Sequence, residues 1–180
     1  MFFSFGPRSL VLFSVVLLTS CTIGRPPAGS IETLSDAQKA AISRVKAQVS
    51  GLIVWSSSRV GNHDLFLMKT DGTGIKALTT GKHVDWFPRF SPDGQRVLFA
   101  RSRKPTFVYE RDANKLDTWD LYTVAPDGSA LTKIVDNASW GTWIDSKTLL
   151  FARGQQVVRM KLQDKTEEVL VDSRKVAALG

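Results

Sequence analysis

The sequence predicts an all-β fold built from repeated units of short antiparallel strands. Three observations carry this. From Gly51 onward the apolar residues fall in short runs rather than helical stripes, the runs recur with the same neighbours, and the breaks between them are Asp-Gly turns. Ile53-Val54-Trp55-Ser56-Ser57-Ser58-Arg59 aligns with Val97-Leu98-Phe99-Ala100-Arg101-Ser102-Arg103, and Leu149-Leu150-Phe151-Ala152-Arg153 aligns with both. Downstream, Asp64-Leu65-Phe66 matches Asp120-Leu121-Tyr122, and Asp71-Gly72 matches Asp127-Gly128. A further strand precedes the apolar run of each later unit, Trp86 to Phe90 in one and Trp140 to Ile144 in the next, so that Trp86 aligns with Trp140. The turn after the first of these is Ser91-Pro92-Asp93-Gly94, in which proline presets one backbone angle and glycine supplies a positive φ. The aspartates of these turns read as turn formers rather than ligands.

Phe90-Ser91-Pro92-Asp93-Gly94 followed by the Val97 run, and then Trp119-Asp120-Leu121-Tyr122 ahead of Pro126-Asp127-Gly128, resemble the repeats of TolB-type β-propellers. The resemblance covers about residues 51–173 and is weakest in the third unit, whose turn is Asp145-Ser146-Lys147 and whose third strand lacks the Asp-Leu-aromatic signature. It implies a partial β-propeller of about three four-stranded blades, with strands A to D running from the inside outward. Blades stack face to face, so both faces of a central strand are buried, which accounts for near-continuous runs such as Val97 to Ala100. Trp55, Phe99 and Phe151 recur at equivalent positions and are expected between blades. On this count the first unit lacks its inner strand and the chain holds 11 strands. Open blade faces imply either a longer protein or self-association of two copies.

The residues ahead of the repeats divide by composition. Ser9 to Ser20 is an apolar run of 12 residues, too short for a bilayer span of about 20 but of the length of a secretory signal core, and Arg8 stands before it. Leu18-Thr19-Ser20-Cys21 resembles the lipobox of bacterial lipoproteins. The resemblance implies cleavage before Cys21, lipidation of that residue, and membrane attachment through the lipid. Cys21 is the single cysteine, so no intramolecular disulfide competes for the thiol. Thr22, rather than Asp, follows it, which in that family implies the outer membrane, facing the periplasm. Residues 1–20 are thus expected to be the signal, residues 21–34 a lipidated tether rich in proline and glycine, residues 35–50 a helix, and residues 174–180 a tail. Ser35 and Gln38 have capping-box spacing, while Ala41, Ile42, Val45 and Val49 form one modest apolar face expected to dock on the repeats.

The net charge is +7, and +6 once residues 1–20 are removed with Arg8. The charges are scattered without a block, and the envelope compartment argues against a nucleic-acid partner. Envelope proteins are the expected partners. No phosphate-binding glycine loop and no Gly-x-Ser-x-Gly elbow occur, and His63 and His83 stand apart without metal-ligand spacing. No cofactor and no metal are expected.

Antiparallel succession places the A–B and C–D turns on one side of the propeller, and the B–C and D–A connections on the other. On that second side the second unit carries 12 residues more than the first between Arg103 and Trp119. Long loops on a rigid scaffold carry binding. Lys104, Phe107, Tyr109 and Arg111 in this insertion, Arg103 at its start, and Lys82, His83 and Asp85 on the neighbouring D–A connection are the candidate binding residues. The reading reached is a membrane-anchored envelope lipoprotein acting as a non-enzymatic interaction scaffold. Two alternatives stand beside it. One is the propeller part of a prolyl-oligopeptidase-type peptidase whose hydrolase domain lies beyond Gly180, since such peptidases carry the same repeats. The other is a glycan-binding propeller at the cell wall, resting on Trp86, Trp140 and Tyr109.

Overall fold

The computed structural model describes residues 4–5, 34–105, 112, 115 and 117–176. Cys21, the tether, and Phe107, Tyr109 and Arg111 lie outside the described residues. The chain is mostly β, arranged in three antiparallel four-stranded sheets, each a blade of a partial propeller. Blade 1 contains β1 (Ser4–Phe5), β2 (Leu52–Ser57), β3 (Asp64–Lys69) and β4 (Lys76–Ala77), in that order from the inside outward. Blade 2 is β5 (Asp85–Phe90), β6 (Val97–Ser102), β7 (Trp119–Val124) and β8 (Thr132–Val135). Blade 3 is β9 (Ser139–Asp145), β10 (Thr148–Arg153), β11 (Gln156–Lys161) and β12 (Glu167–Asp172). Ser4 and Phe5 thus supply the inner strand that the repeat count left missing, and the count rises from 11 to 12. The pairing is made by residues read as part of a signal, where composition carries no strand pattern.

The blades are joined by two apolar clusters that share β6. Val97 and Phe99 point toward blade 1 and pack with Val54, Leu65, Leu67 and Phe90. Leu98 and Ala100 point toward blade 3 and pack with Leu121, Leu149, Phe151, Val158 and Met160. Alternate side chains of one strand serve two interfaces, which is why the run is apolar without alternation. Trp55, Phe99 and Phe151 are all buried. Each ring lies beneath an arginine: Arg59 is 5.2 Å above Trp55, Arg101 is 5.4 Å above Phe99, and Arg153 is 5.1 Å above Phe151. Arg101 and Arg153 occupy the same position of their repeats, whereas blade 1 has Ser57 there and draws its cation from two residues further on.

The turns follow their sequence chemistry. Asp71 Oδ1 accepts from the Thr73 amide at 2.8 Å and from its hydroxyl at 2.6 Å, and Asp127 does the same with Ser129. Asp93, Asp145 and Asp164 each accept from the amide two residues on. In the Asp-Gly turns Gly72, Gly94 and Gly128 take φ values of 82°, 70° and 97°, conformations that a Cβ disfavours.

The helix α1 spans Asp36–Gln48 and is closed at its start by a reciprocal cap. Ser35 N donates to Gln38 Oε1 at 2.8 Å, and Gln38 N to Ser35 Oγ at 3.2 Å. The described side chains of α1 are all exposed, Ile42 to 40%, while Val49, just past the helix, is half-buried. Ala41 and Ile42 alone offer too little apolar area to outweigh the cost of ordering the segment. None of the described helices is long and apolar enough to cross a membrane. A single turn, α2 (Ser173–Val176), follows blade 3.

Candidate functional site

The candidate residues meet around Ser102, the last residue of β6. Its hydroxyl accepts from the Val84 amide at 2.9 Å and donates to the Lys104 carbonyl at 2.9 Å, pinning the β4–β5 connection to the start of the insertion. His83 joins the same corner through Nδ1, 2.7 Å from the Ser102 carbonyl. A carbonyl only accepts, so Nδ1 is the donor of this contact. The His83 carbonyl accepts from Asn62 Nδ2 at 2.7 Å, which ties the blade 1 hairpin loop to this connection. Lys82 is exposed beside it.

Arg103 forms the neck of the insertion. Its amide donates to the Thr118 carbonyl at 2.8 Å and its guanidinium to the Asp117 carbonyl at 3.3 Å. The guanidinium also lies 3.5 Å from Asp120, a buried carboxylate that has Lys133 at 3.6 Å and accepts from the Asn137 amide at 2.8 Å. Beyond the neck, Lys115 pairs with Asp112 at 3.0 Å, and Thr118 Oγ1 donates to the Asp112 carbonyl at 2.9 Å. Ser102, Arg103, Lys104, Asp112, Lys115, Asp117 and Thr118 line a cavity of about 380 Å³. Three cations against two carboxylates make it polar and mixed in charge.

Asp85 departs from this corner and corrects its place among the binding candidates. It is 0% exposed, and both of its carboxylate oxygens are held by Arg101 at 2.7 Å. The sheet register sets Asp85 opposite Arg101, so it belongs to the blade 2 interior and not to the surface. His83 and Lys104 both meet Ser102, with Arg103 next in sequence, and Lys82 is exposed on the His83 connection.

Neither serine–histidine contact forms a nucleophile with its base. His83 meets the Ser102 carbonyl rather than its hydroxyl. Ser56 Oγ lies 3.2 Å from His63 Nδ1, but it donates its one proton to the Asp85 carbonyl at 2.7 Å and so only accepts from the ring. Burial lowers the His63 pKa. Next to it Asp64 is 2% exposed, and its Oδ1 has no hydrogen-bond partner. Burial and the charge of Asp85 push the Asp64 carboxyl up to about 6, with Arg101 opposing. Among the described residues no group of three or more His, Cys, Asp or Glu side chains is placed to hold a metal ion.

A second feature, missed from the sequence, runs along the inner strands. Phe87 and Trp140 both have positive φ, 57° and 55°, and their rings meet across the blade 2–blade 3 boundary with centroids 4.7 Å apart and planes tilted by 32°. Each sits in a bulge: Trp86 pairs with Ala100 while Arg89 pairs with Leu98, and Ser139 pairs with Ala152 while Thr142 pairs with Leu150. Trp140 is therefore the equivalent of Phe87, and Trp86 that of Ser139, one residue off the alignment of the two tryptophans. Trp86 is half-buried against Trp119 at 5.2 Å and His63 at 5.3 Å, whereas Trp140 is 60% exposed.

Comparison with known proteins agrees with this architecture. No family model matches the chain. A TolB homologue of Chlorobium luteolum is 29% identical over 91 residues, covering 47% of this chain and 21% of that protein. The Tol-Pal system protein TolB of Geobacter metallireducens is 34% identical over 65 residues, covering 36% of this chain and 15% of that protein. The crystal structure of TolB from Acinetobacter baumannii superposes with a TM-score of 0.52 at 15% identity, over 67% of this chain and 30% of that one. These are TolB-like propeller blades. The chain spans about a fifth of the length of the curated relatives it matches. The TolB-like likeness therefore describes the repeated blades.

Proposed function

We propose that this chain is a membrane-anchored envelope lipoprotein whose TolB-like blades serve as a non-enzymatic scaffold for protein interaction. The observation that carries the reading is the similarity of the blades to TolB proteins, one of them named for the Tol-Pal system. Three further features support it: the lipobox-like Leu18-Thr19-Ser20-Cys21, the mixed-charge cavity at the foot of the insertion, and the engagement of both hydroxyls near histidine with backbone carbonyls. In this reading Cys21 carries the lipid at the outer membrane, the blades face the periplasm, and Lys82, His83, Arg103 and Lys104, with Phe107, Tyr109 and Arg111, contact an envelope protein. Fold likeness alone is a weak warrant for a role, so the test addresses the anchor and the face separately.

Cells expressing the full chain are labelled with radioactive palmitate, and Cys21→Ser is expected to abolish the label. A photo-crosslinking residue is then placed at Lys104, and at Asp93 on the opposite side. The scaffold reading expects an envelope-protein adduct from position 104 and none from position 93. Equal yields from both positions, or none from either, overturn it.

The exposed Trp140 ring beside Phe87 favours a second reading, a cell-wall glycan as ligand, because flat exposed aromatic faces pack on sugar rings. Retention on peptidoglycan separates the two.

A further inference from the structure

The corner of the candidate site is tied to blade 1 through His63. This residue directly precedes β3, and its carbonyl accepts from the amide of Asp85, the first residue of β5, at 2.8 Å. Its neighbour Asn62 donates to the His83 carbonyl at 2.7 Å. Val84, which follows His83, donates its amide to Ser102 Oγ, and that hydroxyl holds the Lys104 carbonyl. The hairpin loop of blade 1, the β4–β5 connection and the start of the insertion are therefore joined by one series of hydrogen bonds, and His63 stands at its blade 1 end.

The surroundings of the His63 ring suit its neutral form. The ring is half-buried and perpendicular to Trp86, with centroids 5.3 Å apart. Nδ1 donates to Ser56 Oγ, whose own proton is committed to the Asp85 carbonyl, so a second proton goes to Nε2. The charges near the ring do not compensate for it. Asp85 on β5 has both oxygens held by Arg101 of β6. Asp64 on β3 is pushed up to about 6 and gives up its charge as the medium becomes mildly acid. Arg59 in the hairpin loop lies over the Trp55 and Phe66 rings, and His83 on the connection donates to the Ser102 carbonyl. Burial lowers the His63 pKa and no carboxylate counters it. A base lowered in this way favours the folded arrangement fully above its ordinary value of 6.5 and loses that contribution as pH falls below it.

We propose that His63 is an acid-sensitive latch on the binding corner. Neutral, it fastens the blade 1 loop to the β4–β5 connection. Protonated, its ring leaves Trp86 and Ser56 for water and draws the loop with it, so the connection loses the hydrogen bond from Asn62 and the one to the His63 carbonyl. Lys82, His83 and Lys104 are then held less firmly, and mild acid weakens the grip on a partner bound there. This last step rests on the scaffold reading above; the latch itself does not.

The test follows the full chain by NMR between pH 5 and pH 8. The His63 imidazole signals are expected to titrate with a midpoint below 6.5. Protection of the Val84 and Asp85 amides from hydrogen exchange, corrected for the intrinsic effect of pH, is expected to be lost with the same midpoint. His63→Phe keeps a ring against Trp86 and does not titrate, while His63→Gln keeps a donor for Ser56 and does not titrate. Protection in both variants is expected to stay level over this range. A His63 midpoint at or above 6.5, or a loss of protection that persists in both variants, overturns the latch. The photo-crosslinking residue at position 104 then reads the partner. Its adduct is expected to decline from pH 7.5 to pH 5.5 in the native background and to hold steady with His63→Phe. Equal native yields at the two pH values overturn the effect on the partner. Absence of any adduct at pH 7.5 overturns the scaffold reading and that effect with it, while the midpoint and the amide protection still decide the latch.

Discussion

Arg101 grips Asp85 with two parallel hydrogen bonds of 2.7 Å, Nε to Oδ1 and Nη2 to Oδ2, across the two inner described strands of blade 2. The carboxylate is 0% exposed and the arginine side chain 14%. A buried pair of this kind need not add net stability, but removing one partner leaves a buried charge uncompensated, at about 3–5 kcal/mol. Asp85→Ala is expected to lower the unfolding free energy by an amount in that range, and the urea midpoint with it. Arg101→Lys is expected to fall between it and the native protein, because an ammonium cannot make the two-pronged contact. Chemical denaturation followed by tryptophan fluorescence checks both.

This pair also marks where sequence reading stopped. The B and C strands were legible to the residue, because Ser57, Arg101 and Arg153 fall at one position of three aligned runs and the structure pairs Ser57 with Asp64 and Arg101 with Asp120. Asp85 was assigned to a surface connection because nothing local distinguishes a loop aspartate from the first residue of an inner strand. Its partner lies 16 residues away, across a hairpin. The bulges were illegible for a related reason: matching Trp86 to Trp140 by identity assumes a constant register, and the inserted bulge residue breaks that assumption. The corner formed by His83, Ser102 and Lys104 was legible as a neighbourhood, since connection order alone placed it, while its hydrogen bonds were not.

Asp64 makes stability depend on pH in a direction opposite to that of a salt-bridged carboxylate. Its folded pKa of about 6 lies above the ordinary value of 3.8, so the folded state holds the proton more tightly than the unfolded chain. Stability from this group is present below pH 4 and is lost as pH rises to about 6. Asp64→Asn keeps the shape and removes the titration. The melting temperature of the variant relative to the native protein is expected to rise between pH 4 and pH 7, and comparison at each pH cancels most of the opposite trend from His63. A difference that stays flat across this range refutes the assignment.

Gly141 is set by packing and not by backbone conformation. A Cβ there meets Leu121 Cδ1 at 2.9 Å and Leu98 Cδ2 at 3.1 Å, at the interface of blades 2 and 3. Both leucines are 0–1% exposed, so the methyl groups have little room to retreat. Gly141→Ala is expected to cost about 1–3 kcal/mol, the range of overpacked cores, and Gly141→Val more. Pairing Gly141→Ala with Leu121→Val is expected to recover part of the loss, which thermal denaturation of the single and double variants measures.

The two inner-strand tryptophans, alike in the sequence, are expected to behave differently. Trp86 is wedged among Trp119, His63 and Phe87, so Trp86→Ala opens a hole and is expected to cost about 3 kcal/mol or more. Trp140 is 60% exposed and loses chiefly its packing on Phe87, a contact worth about 0.5–1.5 kcal/mol. Trp140→Ala therefore leaves a folded protein and isolates the exposed ring as a ligand contact. If the native chain is retained on peptidoglycan and Trp140→Ala is not, with unchanged melting behaviour, the glycan reading replaces the protein scaffold at this face. If neither is retained, that reading falls. The left-handed backbone at positions 87 and 140 then serves the contact between blades, because it is the bulge at each position that lets one ring reach the other.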